Sequence, residues 1–141
     1  MAEIGASGMT NIGATASNWA PRVRSILRIM TGLLFLQHGT TKYLGFPASD
    51  MTGVDPLSMG GIAGMLELVG GALIVIGLFT RPVAFVLSGL MAAAYWIAHA
   101  PSSFFPLLNG GELAIMYCFA FLYFVFAGPG PWSVDAARGK A

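Results

Sequence analysis

Charged side chains and cysteines are both scarce in this sequence. Charged residues make up 9% of its 141 residues, whereas ordinary soluble domains carry about 25%. The net charge of +1 gives no support to nucleic-acid binding, which calls for a basic patch or stripe. The single cysteine, Cys118, cannot form an intrachain disulfide or a dithiol redox centre. These absences argue against a soluble domain, a nucleic-acid-binding protein and a thiol oxidoreductase.

Long apolar stretches are abundant instead. Hydrophobic residues make up 56% of the chain and concentrate at roughly residues 23–44, 61–79, 82–98 and 113–127. A helix needs about 17–25 residues to cross the ~30 Å hydrocarbon core of a bilayer, and each stretch comes close to that length. The sequence therefore predicts an all-α integral membrane protein, in which residues 22–132 form a bundle of four transmembrane helices.

Basic residues lie mostly on one side of this four-span arrangement. Six of the seven precede the first span, occupy the turn between spans two and three, or follow the fourth: Arg22, Arg24, Arg28, Arg81, Arg138 and Lys140. Only Lys42 lies on the opposite side, so the positive-inside rule predicts that both termini are cytoplasmic. Residues 1–21 are small and polar and resemble a flexible tail rather than a cleavable signal peptide. Residues 133–141 are expected to form a short cytoplasmic tail.

Polar side chains interrupt the spans at helical spacing. Three stripes repeat every three or four residues: Thr31, Phe35, His38 and Lys42; Gly60, Gly64, Glu67 and Gly71; Ser88, Ala92, Tyr95 and His99. Residues at these spacings share one helix face, so His38 and Lys42 lie one turn apart on the same face. Small-residue stripes let helix backbones approach closely. We therefore expect Glu67 to point into the bundle.

The four-span topology brings these side chains to a similar depth. Glu67 is predicted to lie about 10 Å below the outer rim at 1.5 Å per residue, while the other candidates fall near the outer ends of their spans. A charge at the centre of a bilayer costs at least ~2.5 kcal/mol, so such residues pair with one another or serve a function. The candidate ligand-binding residues are His38, Lys42, Glu67, Tyr95, His99 and Glu112.

Several of these residues also have purely structural interpretations. Lys42 and Glu67 can form an ion pair that fixes the register of two helices, and Glu112 can be an exposed acid at a helix N-terminus. His38 and His99 can be neutral imidazoles bonded to backbone or neighbouring side chains. Imidazoles and carboxylates also suit metals, but no short motif such as Glu-x-x-His is present, so no metal site is assigned. A quinone pocket fits better, with donors for the carbonyls and a carboxylate to relay protons.

Short motifs occur in a consistent order along the chain. They are Arg28, His38-Gly39-x-x-Lys42-Tyr43, Gly64-Met65-Leu66-Glu67-Leu68-Val69-Gly70-Gly71, Gly77-Leu78-Phe79-Thr80-Arg81, Asn109-Gly110-Gly111-Glu112 and Gly128-Pro129-Gly130 followed by Ser133 and Asp135. In this order and spacing the chain resembles the DoxX family of small bacterial membrane proteins, over about residues 24–137. The resemblance implies a four-helix membrane bundle and a redox association, because the family takes its name from a subunit of a thiosulfate:quinone oxidoreductase and relatives are linked to oxidative stress. The family pattern marks Lys42, Glu67, Arg81 and Glu112.

The sequence thus predicts a multi-pass inner-membrane protein that handles a quinone or similar small redox-active molecule in its outer half. It would work as a subunit of a membrane oxidoreductase, beside a partner subunit or a second copy and in contact with membrane lipid. The alternative is a non-catalytic membrane anchor or assembly subunit whose buried charges only hold helices together. A transporter is disfavoured because the inner half of the bundle offers no ionisable path below Glu67 except Arg28.

Overall fold

The protein is described by a computed structural model over residues 4–140, with side chains from residue 12 onward. This part of the chain is all-helical: α1 Ile4–Leu44, α2 Met59–Ile76, α3 Thr80–Ala94 followed by a π-helical turn Tyr95–His99, α4 Pro106–Asn109, α5 Glu112–Ala127 and α6 Val134–Ala137. Each of the four predicted spans falls on one of the long helices. Apart from the start of α1, the expected boundaries shift by a few residues, most at the end of α2, because Gly77 adopts a left-handed conformation (φ 69°) that ends the helix.

Two of the described helices are long and apolar enough to cross a membrane, Met59–Ile76 and Thr80–His99. Helix α5 is equally apolar but has 16 residues. Residues 23–44 of α1 are long enough to span a membrane but are not among these two helices, because the charged residues Arg24, Arg28 and Lys42 lower their mean hydropathy. Composition and length alone therefore identify two of the four expected spans.

The structure corrects the expectation of a flexible tail over residues 1–21. Residues 1–3 lie outside the described part, and α1 is helical from Ile4 onward. Residues 4–20 contain four alanines, the strongest helix former. Because residues 23–44 of α1 already form a helix, each residue added at its N-terminal side gains a backbone hydrogen bond without the cost of nucleating a new helix. The helix also continues through Pro21, whose carbonyl accepts a hydrogen bond from Ser25 Oγ at 3.3 Å.

The long helices pack as two pairs, α1 with α2 and α3 with α5. The α1–α2 pair is close because of glycine: a Cβ added at Gly71 would lie 2.9 Å from Leu36 Cα, and one at Gly39 would collide with the Leu68 backbone. Gly64 and Gly71 of the predicted stripe thus face α1. Gly60 does not, since a Cβ there would meet only Ser58, at 3.9 Å.

Aromatic side chains form the core between the two pairs. Phe35, Phe121 and Phe124 are at most 1% exposed and pack with Ile74 and Leu87. The Phe35 and Phe121 rings meet edge to face with centroids 4.8 Å apart, a geometry that the ring quadrupoles favour. This core divides the bundle into an end that holds Lys42 and an end that holds Arg28, called here the Lys42 end and the Arg28 end.

Candidate functional site

A cavity of about 220 Å³ lies between the helix pairs, above the aromatic core at the Lys42 end. It is lined by Phe35, His38, Glu67, Met91, Ala94, His99, Gly110, Leu113, Ala114 and Tyr117. Four of these side chains are polar and they come from four different segments of the chain, whereas the rest are apolar. An apolar cavity of about 150 Å³ is enough to hold benzene. This ring cavity therefore has room for one substituted six-membered ring, with a few convergent polar groups to orient it.

Glu67 and Lys42 form a buried ion pair beside the cavity. Lys42 Nζ lies 2.7 Å from Glu67 Oε2, and both side chains are 8% exposed, which confirms the predicted pairing. A Cβ at Gly64 would lie 2.7 Å from Lys42 Cδ, so this glycine makes room for the lysine stem. Within the described residues no other hydrogen bond reaches the Glu67 carboxylate, so its second oxygen is available to a ligand in the ring cavity.

His99 closes the cavity from the end of α3. It is the last residue of the π-helical turn, in which Ala100 N–H donates to Tyr95 O at 2.9 Å; such turns are frequent at functional sites. His99 Nδ1 lies 3.0 Å from Asn109 O. Because a carbonyl only accepts, Nδ1 carries the proton, and in the neutral ring Nε2 is then an acceptor.

His38 lies across the cavity from His99, on α1. Its ring is exposed, and its centroid is 6.1 Å from the Tyr117 ring, at an interplanar angle of 89°. Phe35, one turn below, has its ring centroid 6.3 Å from His38. In the described part of the chain no hydrogen bond is made by the His38 ring, which leaves its nitrogens available to a ligand.

The other three predicted site residues stand apart from the cavity. Lys42 reaches it only through Glu67. Tyr95 lies behind His99; the two rings are stacked, with centroids 6.5 Å apart and an interplanar angle of 21°. The Tyr95 hydroxyl accepts a hydrogen bond from Asn109 Nδ2 at 3.4 Å. Glu112 is exposed at the first residue of α5, the position that its structural interpretation predicts.

Tyr117 is the cavity residue that the sequence reasoning missed. It is 8% exposed and lies on the buried face of α5 with Ala114, Phe121 and Phe124. These positions are separated by three, four and three residues, as in the stripe that contains His38. Applying the same spacing to the fourth span would have identified a tyrosine facing the bundle at about the depth of Glu67.

Arginines at the Arg28 end bind backbone carbonyls near helix C-termini and in the chain after α5. Arg28 is 0% exposed and donates to Pro129 O at 2.9 Å, to Ile74 O at 2.5 Å, to Val75 O at 2.6 Å and to Trp132 O. Ile74 and Val75 lie at the C-terminus of α2, so the guanidinium places positive charge at the negative end of that helix dipole, while the bonds to Pro129 O and Trp132 O tie the chain after α5 to α1.

Two further arginines do the same at the C-terminus of α5. Arg24 donates to Ala127 O, and Arg81 donates to Val125 O and Phe126 O at 2.7 Å each. The sequence analysis uses both residues as markers of orientation, and the family pattern also marks Arg81. Their common position beside helix ends gives them a structural role.

The C-terminal segment closes the Arg28 end. The Asp135 carboxylate accepts hydrogen bonds from Phe79 N–H at 2.9 Å and Thr80 N–H at 2.8 Å, and so caps α3. Burial raises the pKa of this carboxyl group, but the backbone hydrogen bonds from Thr80 and Phe79 and the charge of Arg138 outweigh burial and lower the pKa below its usual value. Asp135 therefore stays ionised and holds the segment in place at neutral pH.

Comparisons with known proteins identify a family and two relatives of this chain. A sequence model described as DoxX matches residues 23–100. An uncharacterized protein of Haemophilus influenzae is 46% identical over 125 residues, which cover 83% of this chain and 91% of the relative. An uncharacterized membrane protein of Mycobacterium tuberculosis is 23% identical over an alignment of 155 residues, which covers 94% of this chain and 95% of the relative. No solved structure matches the chain.

Proposed function

This chain belongs to the DoxX family and is a membrane protein, and from that premise we propose that it binds a quinone or similar small redox-active molecule in the ring cavity. The family membership confirms the resemblance that the ordered motifs predicted. In our proposal the protein crosses the bacterial inner membrane four times, through residues 23–44 of α1, through α2, through α3 with its π-helical turn, and through α5. Both termini are cytoplasmic, and the Lys42 end faces outward.

Surface composition supports four spans. Large apolar side chains are exposed on each long helix, for example Leu27 at 46%, Val69 at 51%, Phe85 at 67% and Phe119 at 63%. Lipid chains would cover these side chains. Helix α1 also fits, because its charged residues Arg24, Arg28 and Lys42 are all bonded inside the bundle and do not face lipid, so a hydropathy average underestimates this span.

Reporter fusions test the topology. We expect a reporter placed after Leu57 to be extracytoplasmic and one placed after Arg138 to be cytoplasmic, because six of the seven basic residues lie at the proposed inner side. Paired alkaline phosphatase and green fluorescent protein fusions report opposite sides. The same sidedness at both positions would contradict the four-span arrangement.

The polar groups of the cavity suit both redox forms of a quinone. His38 and Tyr117 can donate hydrogen bonds to quinone carbonyls, whereas His99 Nε2 and the second oxygen of Glu67 can accept from quinol hydroxyls. Glu67 and the histidines can also take up or release the protons that accompany quinone chemistry. The observation that carries the proposal is the meeting of these four side chains around one ring-sized, otherwise apolar cavity. We propose that the protein acts in this way as a subunit of a membrane oxidoreductase.

Ligand titration tests the site. A ubiquinone or menaquinone analogue at about 100 times its Kd should stabilise the purified protein by ~2.7 kcal/mol, because it binds only the folded state. We expect His38→Ala, His99→Ala and Tyr117→Phe to lose much of this gain, measured as a thermal shift. Tyr123→Phe is the matched control, since Tyr123 lies on the same helix but is 48% exposed and outside the ring cavity.

The alternative is a membrane anchor whose buried polar groups only hold helices together. The Lys42–Glu67 pair and the arginine–carbonyl bonds favour such a structural contribution. If the folded wild-type protein shows no shift with either class of quinone, the anchor interpretation replaces the quinone site.

A further inference from the structure

An apolar groove of about 590 Å³ runs along the lipid-facing side of α1 at the Lys42 end. Its α1 wall includes Met30, Leu33 and Leu34, and the segment Phe46–Pro47 after α1 folds back over its upper end. The fold-back is held by a hydrogen bond from Phe46 N–H to Thr40 O at 3.3 Å. This surface, called here the α1 groove, is lined by α1 along its length and is closed at its upper end by Phe46 and Pro47.

A small outer pocket shares lining residues with both the α1 groove and the ring cavity. This vestibule, of about 210 Å³, is lined by Gln37, His38, Thr41, Lys42, Pro47, Ser49 and Met51. His38 also lines the ring cavity, while Gln37 and Pro47 also line the α1 groove. Pro47 and Met51 give the vestibule an apolar wall. The three spaces therefore follow one another around α1, from the interior of the bundle to the lipid.

We infer that the α1 groove holds the hydrocarbon tail of the ligand whose ring occupies the ring cavity. This inference rests on the proposed function and narrows its substrate class to long-chain quinones. The ring would lie between His38 and His99, its substituents would pass Gln37 and Thr41 in the vestibule, and the tail would descend along α1. From Gln37 to Met30 the helix offers about 10 Å of groove, at 1.5 Å per residue.

The apolar lining of the α1 groove favours a hydrocarbon tail over a polar occupant. The groove walls are apolar apart from Gln37 and Thr40 at the upper end, where the vestibule begins. Its location at bilayer depth suits a chain that is already dissolved in lipid. Because lipid chains are as apolar as leucine side chains, the tail gains packing contacts rather than a hydrophobic transfer energy. A defined groove is what such packing requires.

The test compares two quinones that differ only in the tail. Protein in lipid nanodiscs is titrated with 2,3-dimethoxy-5,6-dimethylbenzoquinone and with 2,3-dimethoxy-5-methyl-6-decylbenzoquinone, in which a decyl chain replaces one methyl group. Each concentration is expressed as a mole fraction of the lipid phase. We expect the wild type to bind the decyl compound about tenfold more tightly, a difference of 1.4 kcal/mol. Met30→Trp fills the groove and should bring this ratio close to one, while leaving the affinity for the tailless ring unchanged.

Met116→Trp is the matched control. Met116 is 67% exposed on α5 and lines neither the groove nor the ring cavity, so the tenfold ratio should persist. Leu33→Trp provides a second groove variant should Met30→Trp fold poorly. A wild-type ratio near one, or a ratio that both groove variants leave unchanged, would overturn the groove assignment while the ring site stands. If neither quinone binds the wild type, the ring site and the groove both fail.

Discussion

Replacing Arg28 with leucine is expected to destabilise the protein by about 3–5 kcal/mol, because several buried carbonyls lose a charged donor at once. The substitution removes five donors and leaves the carbonyls of Val75, Pro129 and Trp132 buried without their partner. Each unsatisfied buried group costs about 1–3 kcal/mol. The loss should be large because Arg28 joins three separate segments: α1, the end of α2 and the chain after α5.

Unfolding in detergent, followed by circular dichroism or by thermal denaturation, measures this effect. Arg22→Leu is the control, since Arg22 is exposed and its guanidinium carbon lies 5.3 Å from the centroid of the Trp19 ring. This variant should change stability by less than about 0.5 kcal/mol. Arg28→Lys should fall in between, because an ammonium group offers three donors without the planar fork of a guanidinium. Equal stability of the Arg28→Leu and Arg22→Leu proteins would show that the carbonyl contacts contribute little.

Helical spacing predicted much of the bundle and part of the site. The long helices of the bundle follow from long apolar stretches, and the Lys42–Glu67 pair follows from two stripes that had to face each other. The spacing of its stripe placed Tyr95 in the predicted site, and depth together with the family pattern placed Glu112 there. The angular position of a side chain depends on the local helix, and the π-helical turn after Ala94 changes it in a way that no residue spacing reveals.

Long-range backbone contacts could not be predicted from local patterns. The bonds from Arg28 to Pro129 and Trp132 join residues more than 100 positions apart, and their acceptors are carbonyls, which every residue carries. The helical extension of α1 was missed for another reason. Small, uncharged residues such as Ala14 and Ala16 suit both a tail and a helix, and only continuity with a formed helix decides between them.

The two ends of the bundle differ in how their polar groups are satisfied. At the Arg28 end the arginines and Asp135 are bonded to backbone groups of neighbouring segments. At the Lys42 end, His38 and one oxygen of Glu67 line an open cavity without partners in the described residues. The aromatic core of Phe35, Phe121 and Phe124 separates the two ends. Ligand chemistry in our proposal is therefore confined to one side of the membrane, and the other side serves stability.

Glu67→Gln is expected to lower stability by about 3 kcal/mol, because it leaves the Lys42 ammonium group buried beside a neutral amide. Lys42→Met combined with Glu67→Leu should recover much of this loss, since neither charge is then stranded. A double-mutant cycle in detergent, with Lys42→Met and Glu67→Leu as the single variants, measures the coupling. Glu112→Gln is the control, because Glu112 is exposed, and it should shift stability by less than about 0.5 kcal/mol.

The recovered double variant also separates the two roles of Glu67. If the carboxylate only holds helices together, the folded Lys42→Met/Glu67→Leu protein should bind a quinone as well as the wild type does. We expect instead that it stays folded but loses most of the ligand-induced thermal shift, because the second carboxylate oxygen lines the ring cavity. Simple additivity of the single losses would argue against a direct ion pair. An undiminished thermal shift would remove Glu67 from the ligand site and leave it a purely structural residue.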